Sequence, residues 1–288
     1  MLINSFVVYF SAVLGRADRT CVEYAKEIRY FAAWLEPGLP VDEVLMLAMR
    51  SDVRRYIESC SERSAATRAR KISTLRTFFA WCVDAGHRSD NPVAGMPRPK
   101  ISRSLPVYLS LDDAKALVRS ARSRDDLFYR RRNTLVIILY INCGFRLSEL
   151  AGIQMHDVYD DAIRVVGKGG KERYVYLNNS CQRALRLWLG KRGHGSGHLI
   201  VSKQGQGLHP SSLASVVKLE LVKVGLGHLS THKLRHTAAT LLYRYGHVDI
   251  RALQSILGHA SIATTEIYTH VVSDQVIAAM ESHPMAEF

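Results

Sequence analysis

Apolar residues recur every three to four positions along most of this chain and alternate strictly in only one short region. Cys21, Ala25, Ile28, Phe31 and Leu35 fall at helical spacing, and Pro37-Gly38 ends the run. Just ahead, Thr20-Cys21-Val22-Glu23 has the form of a capping box, which predicts Thr20 as the N-cap. The apolar opening from Met1 to Gly15 lacks the basic n-region and clear cleavage site of a signal peptide, so it reads as a helix of a first domain. A second strong helix is predicted over 65–83, with Ile72, Leu75, Phe79 and Cys82/Val83 as its apolar stripe. Thr67, Arg70, Lys71, Ser73, Thr74 and Thr77 gather on the other side, with Arg68 nearby. A solvated helix face accounts for such a cluster. Short hydroxyls among cations also suit a major groove, where phosphates and base edges are met together.

After Asp84-Ala85-Gly86 the periodicity stops. Asn91-Pro92 to Lys100 and Leu105-Pro106 form a basic, proline-rich stretch, the best linker in the chain. It predicts a helical domain over 1–96, a linker over 97–106 and a larger domain over 107–288. Lys100 in the linker is placed to lie along a phosphate backbone, although a plain surface connector looks much the same. Beyond it, Ser110-Leu111-Asp112-Asp113 caps a helix carrying Ala114, Leu117 and Val118. Residues 133–144 read as a buried apolar helix leading to Arg146. Residues 162–166 and 173–177 are β-branched and alternating, with the Gly-rich 167–171 between them, which predicts a β-hairpin. A short strand is predicted over 198–201, and helices dominate the rest. The fold class expected is mainly α with a small antiparallel β-sheet, in two domains.

Composition narrows the function. Hydrophobic residues make up 47% of the 288, which fits globular packing, and no run is long and apolar enough for a membrane span. The net charge of +13 favours a polyanionic partner. Both parts are basic: residues 1–105 carry 16 Lys+Arg against 11 Asp+Glu. The five cysteines are scattered and odd in number, which argues for reduced thiols in a cytosol, with Cys82 and Cys143 as core residues.

The chemistry concentrates near the C-terminus. Thr231-His232-Lys233-Leu234-Arg235-His236-Thr237 contains an H-x-x-R, whose i, i+3 pair projects from one helix face. Leu257-Gly258-His259 and Tyr268 follow, and Gly258 suits a helix C-cap. Arg146 lies upstream in Cys143-Gly144-Phe145-Arg146-Leu147-Ser148-Glu149-Leu150, and Lys168 in Gly167-Lys168-Gly169-Gly170-Lys171-Glu172-Arg173. Taken singly, each has a bland reading: Arg146 as a helix cap, Lys168 as part of a turn, Tyr268 as a packing residue. The glycines around Lys168 are no P-loop, because G-x-x-x-x-G-K-[ST] is absent. The histidines lack a carboxylate or cysteine partner at ligand spacing, so no metal is expected.

Together these strings resemble the tyrosine recombinase (phage integrase, Xer-like) family. Residues 143–150 are similar to its first arginine box, with Cys143 where threonine is common. Residues 231–242 are close to P-H-x-L-R-H-T/S-x-A-T-x-L, and residues 257–270 to L-G-H-x-x-x-x-T-T-x-x-Y-x-H. The resemblance covers about 107–288 with specific motifs and 1–100 weakly. It implies a helical, SAM-like core-binding domain and a catalytic domain closing on duplex DNA as a C-clamp. It further implies Tyr268 as nucleophile, Arg146, Arg235 and His259 as phosphate ligands, His232 as general base and Lys168 as general acid, with Glu149 orienting a neighbour. Lys171 and Arg173 would touch DNA beside Lys168, as would Arg68, Arg70, Lys71 and Thr74 in the first domain. No cofactor is expected. The partners implied are a recombination site with inverted half-sites and three further copies of the chain, a tetramer on DNA. The tail over 273–288, with Val276, Ile277 and Met280, would dock on a neighbouring subunit or fold back in cis. A cytoplasmic, nucleoid-associated protein follows. The opening of the chain at the helical domain points to a simple Xer-like enzyme. A type IB topoisomerase and a catalytically idle architectural protein are the alternatives.

Overall fold

The structure, a computed structural model, describes residues 1–101, 107–167, 170, 172–246, 248–258 and 264–265. The chain divides into two compact units, Met1–Arg103 and Ser104–Phe288.

The first unit is built from helices: α1 (Leu2–Ala12), α2 (Asp18–Leu35), α3 (Val41–Leu47), α4 (Arg50–Glu58) and α5 (Ala65–Asp84). Ser64 caps α5 by accepting the Thr67 N–H, and Ile72, Leu75, Phe78, Phe79 and Cys82 turn its apolar stripe into the core. Phe6, Phe10, Phe31 and Tyr56 close over them, with Phe6 and Phe78 meeting edge to face at 5.3 Å. Each such ring contributes roughly 1.5–3 kcal/mol by leaving water. The exit from α5 is pinned by Asn91. Its side chain donates to the Arg76 carbonyl and accepts the Val93 N–H, while Arg76 donates to the Met96 carbonyl.

Two local expectations are corrected here. Helix α2 begins at Asp18, with Ala17 as an N-cap lacking a side-chain bond, so Thr20 lies inside the first turn. Asp18 supplies the negative charge that favours a helix N-terminus. The polar side of α5 is also only partly solvated. Thr74 is 1% exposed. Lys71 Nζ donates to Glu27 Oε1 at 2.6 Å and to the Tyr56 hydroxyl at 2.8 Å, and that hydroxyl donates to Glu27 at 2.7 Å. Packing of α5 against α2 and α4 closes over these polar groups.

In the second unit, α7 (Leu127–Cys143) is the axis, and every residue from Leu135 to Ile141 is buried. A helix apolar on all sides demands neighbours on all sides. Those neighbours are α6 (Leu111–Arg122), α9 (Asn179–Arg192), α10 (Pro210–Lys223) and α11 (Thr231–Tyr245). Ser110 caps α6 as expected, accepting the Asp113 N–H. Helix α7 starts six residues before the predicted 133, capped by Asp126. The hairpin pairs β1 (Ala162–Val166) with β2 (Glu172–Tyr176), in the register Val165↔Arg173. The strand expected over 198–201 is instead two isolated bridges, Gln154↔His198 and Val201↔Gly207. The segment finds only single partners there, so no ladder extends.

Candidate active site

Helix α7 ends on Gly144, whose φ of +62° is left-handed. A Cβ at this position would stand 2.8 Å from Leu257 Cδ2 and 3.2 Å from Ala238 Cβ. Backbone conformation and close packing therefore both require glycine. The turn buries Phe145 completely and sets Arg146 as N-cap of α8 (Leu147–Gly152). Glu149, three residues on, accepts the Arg146 N–H at 2.8 Å and its Nη1 at 2.6 Å.

Glu149 is the hub of this region. Its side chain is 4% exposed and faces three arginines from three elements. Arg173 on β2 grips it with two bonds, Nη1 to Oε1 and Nη2 to Oε2, both at 3.0 Å. Arg235 on α11 holds its Nη1 3.9 Å from Oε2. Burial opposes the negative charge, but the bonds from Arg173 and the Arg146 N–H outweigh it and hold the carboxyl at about 2.

The same arginines cap one helix end. Helix α12 (Ile250–Leu257) stops at Gly258, φ +63°, the C-cap expected from sequence. Its last carbonyls accept in series: Ile256 from Arg173 Nε at 3.3 Å, Leu257 from Arg235 Nη2 at 2.6 Å, and Gly258 from Arg146 Nη2 at 2.8 Å. Cations at the negative end of a helix satisfy groups that otherwise lack partners. Arg235 also donates to the Gly144 carbonyl at 2.6 Å, tying α11 to the turn before Arg146.

His232 sits in the first turn of α11, one turn from Arg235, with its ring edge-on to His236 at 4.7 Å. Partial burial, then the charges of Arg235, Lys233 and Arg146, push its pKa below the ordinary value. His236 is lowered further, to about 4, by burial and then by His232. Both rings are neutral near neutral pH, so His232 can accept a proton. Lys168, Lys171, His259 and Tyr268 lie outside the described residues, as does the tail. Among the described residues no group of three or more His, Cys, Asp or Glu could hold a metal.

The model of the phage integrase family matches residues 108–275, and that of the phage integrase N-terminal SAM-like domain matches residues 3–86. The chain belongs to the phage integrase family. Among curated members of this family, tyrosine recombinase XerC of Caldanaerobacter subterraneus subsp. tengcongensis is 34% identical over 312 residues, covering 99% of this chain and 87% of the relative. A crystal structure of XerA recombinase is 28% identical, with a TM-score of 0.54 and 98% of each chain covered. A lambda integrase tetramer bound to a Holliday junction shares the fold at 20% identity and a TM-score of 0.71, over 90% of this chain and 76% of that one.

Within this member of the family the expected residues divide clearly. Arg146, Glu149, His232 and Arg235 come together in one place. Arg173, expected to touch DNA, joins them and faces the buried carboxylate with its own side chain 14% exposed. In the first unit Arg70 is open to solvent, 3.9 Å from Glu23, and Lys100 is exposed. Arg68 is half-buried. Thr74 is enclosed and Lys71 is engaged with Glu27, so neither presents the groove surface expected of it. No local signal marks the bond of Arg173 to Glu149 or to Ile256, because the partners stand 24 and 83 residues away. Among the described residues no helix is long and apolar enough to cross a membrane.

Proposed function

We propose that the chain is a site-specific DNA recombinase that breaks and rejoins duplex DNA through a 3′-phosphotyrosyl link. Tyr268 attacks the scissile phosphorus; a bond forms from its oxygen while the P–O5′ bond breaks. His232 takes the tyrosine proton, and Lys168 gives one to the departing 5′ oxygen. Arg146, Arg235 and His259 hold the non-bridging oxygens as negative charge builds on them. The 5′ hydroxyl of the partner strand then attacks the phosphotyrosyl, restoring the phosphodiester and freeing Tyr268. The covalent link conserves the bond energy, and no step consumes ATP.

The observation that carries this reading is the convergence of Arg146 and Arg235 on one small region beside a neutral His232. Two guanidiniums can each give parallel hydrogen bonds to phosphate oxygens, and a neutral imidazole is ready to act as base. The chain's charge of +13 favours DNA encounter. The substrate is a duplex site with inverted half-sites, on which four protomers assemble and exchange strands through a four-way junction. Arg68, Arg70, Lys100 and Lys171 supply phosphate contacts. The protein acts in the cytoplasm on the nucleoid.

The test is Tyr268→Phe, which removes only the nucleophilic oxygen. Half-site binding is expected to persist, with no covalent adduct on a suicide duplex and no recombinant product. A denaturant-resistant DNA complex from Tyr268→Phe would overturn the nucleophile assignment. Relaxation of supercoils by the wild type without recombinant product would favour a topoisomerase.

A further inference from the structure

Arg173 and Arg235 are the enclosed arginines of the cluster, and Arg146 is the open one. Arg146 is 37% exposed at its side chain, whereas Arg173 is 14% exposed and turned inward. Its guanidinium meets both oxygens of Glu149 at 3.0 Å, the parallel geometry that an arginine makes and a lysine does not. Its Nε reaches the Ile256 carbonyl at 3.3 Å. The group lies so close to Gly258 that a Cβ there would be 3.0 Å from its Cζ and Nη1. One side chain on the hairpin thus touches the carboxylate that holds Arg146 and the helix end that Arg146 and Arg235 also hold.

A DNA phosphate reaching Arg173 would have to draw it off a carboxylate that is itself 4% exposed. Leaving a buried charge without its partner is costly. Arg146 faces no such barrier, since Glu149 would keep its pair with Arg173 when Arg146 turned toward DNA. Without Arg173, Glu149 would draw Arg146 back from the scissile phosphate, one contact among the many that set the affinity for DNA.

We infer that Arg173 is a positioning residue of the recombination site, locking Glu149 to the end of α12 so that Arg146 can turn from the carboxylate to the scissile phosphate. The inference rests on the recombinase reading above. It makes Arg173 a residue that acts on the rate of cleavage through Glu149, not on the affinity for DNA.

The experiment uses the full chain and a suicide half-site duplex that traps the covalent adduct. Adduct formation is followed at saturating protein, and half-site affinity is measured as a function of salt. The proteins are wild type, Arg173→Ala, Arg173→Lys, Glu149→Gln and the double variant Glu149→Gln/Arg173→Ala. Arg173→Ala is expected to slow first-order adduct formation by about 100-fold, the scale of a catalytic group displaced by an ångström. Its half-site affinity and salt slope should match the wild type. Arg173→Lys should recover only part of the rate, because an amine restores the charge but not the fork. The double variant should be no slower than the slower single variant, since both changes break one unit.

A salt slope reduced by about 1 in Arg173→Ala, with a wild-type cleavage rate at saturation, would make Arg173 a phosphate contact and overturn the inference. Fully additive losses in the double variant would overturn it too, by separating Arg173 from Glu149. If Arg173→Ala does not fold, Arg173→Lys decides: slowed cleavage at unchanged affinity supports the inference, and wild-type cleavage defeats it. A wild-type protein that forms no adduct fails at the recombinase reading, and the role of Arg173 falls with it.

Discussion

Replacing Glu149 by Gln measures how far the catalytic unit leans on one buried negative charge. The carboxyl is held at about 2, against 4.5 for an ordinary glutamate. That difference corresponds to about 3 kcal/mol of preference for the ionised form. With its side chain 4% exposed, solvent screening removes little of it. Gln keeps the shape but stays neutral, as a protonated glutamate would, so Glu149→Gln should cost about 3 kcal/mol near neutral pH. The folded-state value is depressed, so the contribution is whole above the unfolded value of 4.5 and drains away as pH falls toward about 2. By about pH 3.5 roughly 1.4 kcal/mol of the wild-type advantage is gone, and the variant has no matching loss at this position. Urea unfolding at a series of pH values reads the gap. Trp34→Phe and Trp81→Phe in both proteins leave Trp188 as the only indole, buried in the second unit with its Nε1 donating to the Leu199 carbonyl. A gap that is constant with pH, or that widens in acid, would refute the assignment of this stability to the Glu149 charge.

Two further outcomes are expected. On α5, Lys71→Met should destabilise the first unit by about 3 kcal/mol by stranding the Glu27 carboxylate, whereas Arg70→Ala should leave melting unchanged and lower the salt slope of half-site binding by about 1; equal melting losses in the two would show that the Lys71 cluster carries no special load. Lys168→Ala should block cleavage of an ordinary duplex yet cleave a 5′-bridging phosphorothioate, whose sulfur leaves without a proton. Rescue of Lys171→Ala alone would move the general-acid role to Lys171.

The helical period along the chain located the cores of both units, because burial of Ile72, Leu75 and Phe79, or of Leu135 through Ile141, follows directly from where apolar side chains recur. Local chemistry was equally readable. Ser110 caps its helix, and Gly258 ends α12 in the left-handed region. What periodicity cannot tell is which members of a polar face meet a buried charge. Lys71 and Thr74 share the pattern of Arg70, but Lys71 finds Glu27 44 residues away. The capping box at Thr20 had the right letters in the wrong register, since Asp18 starts the helix a turn earlier. The motifs single out Arg146 and Arg235 and Gly258 marks the end of α12, yet that these arginines and Arg173 cap its carbonyls is not written locally, because donor and acceptor stand 112, 22 and 83 residues apart. Such contacts are products of tertiary packing and have no local signature.

Just inside the second unit the chain meets α11. Leu109 is 1% exposed, and its N–H donates at 2.9 Å to Thr237 Oγ1, which in turn donates to the Lys233 carbonyl. Thr237 lies two positions from Arg235 and five from His232. The chain arriving from the first unit is therefore clamped to the helix that carries both residues, in the way a cable is clamped at its socket. A displacement of the chain at Leu109 is therefore handed to α11 through this bond.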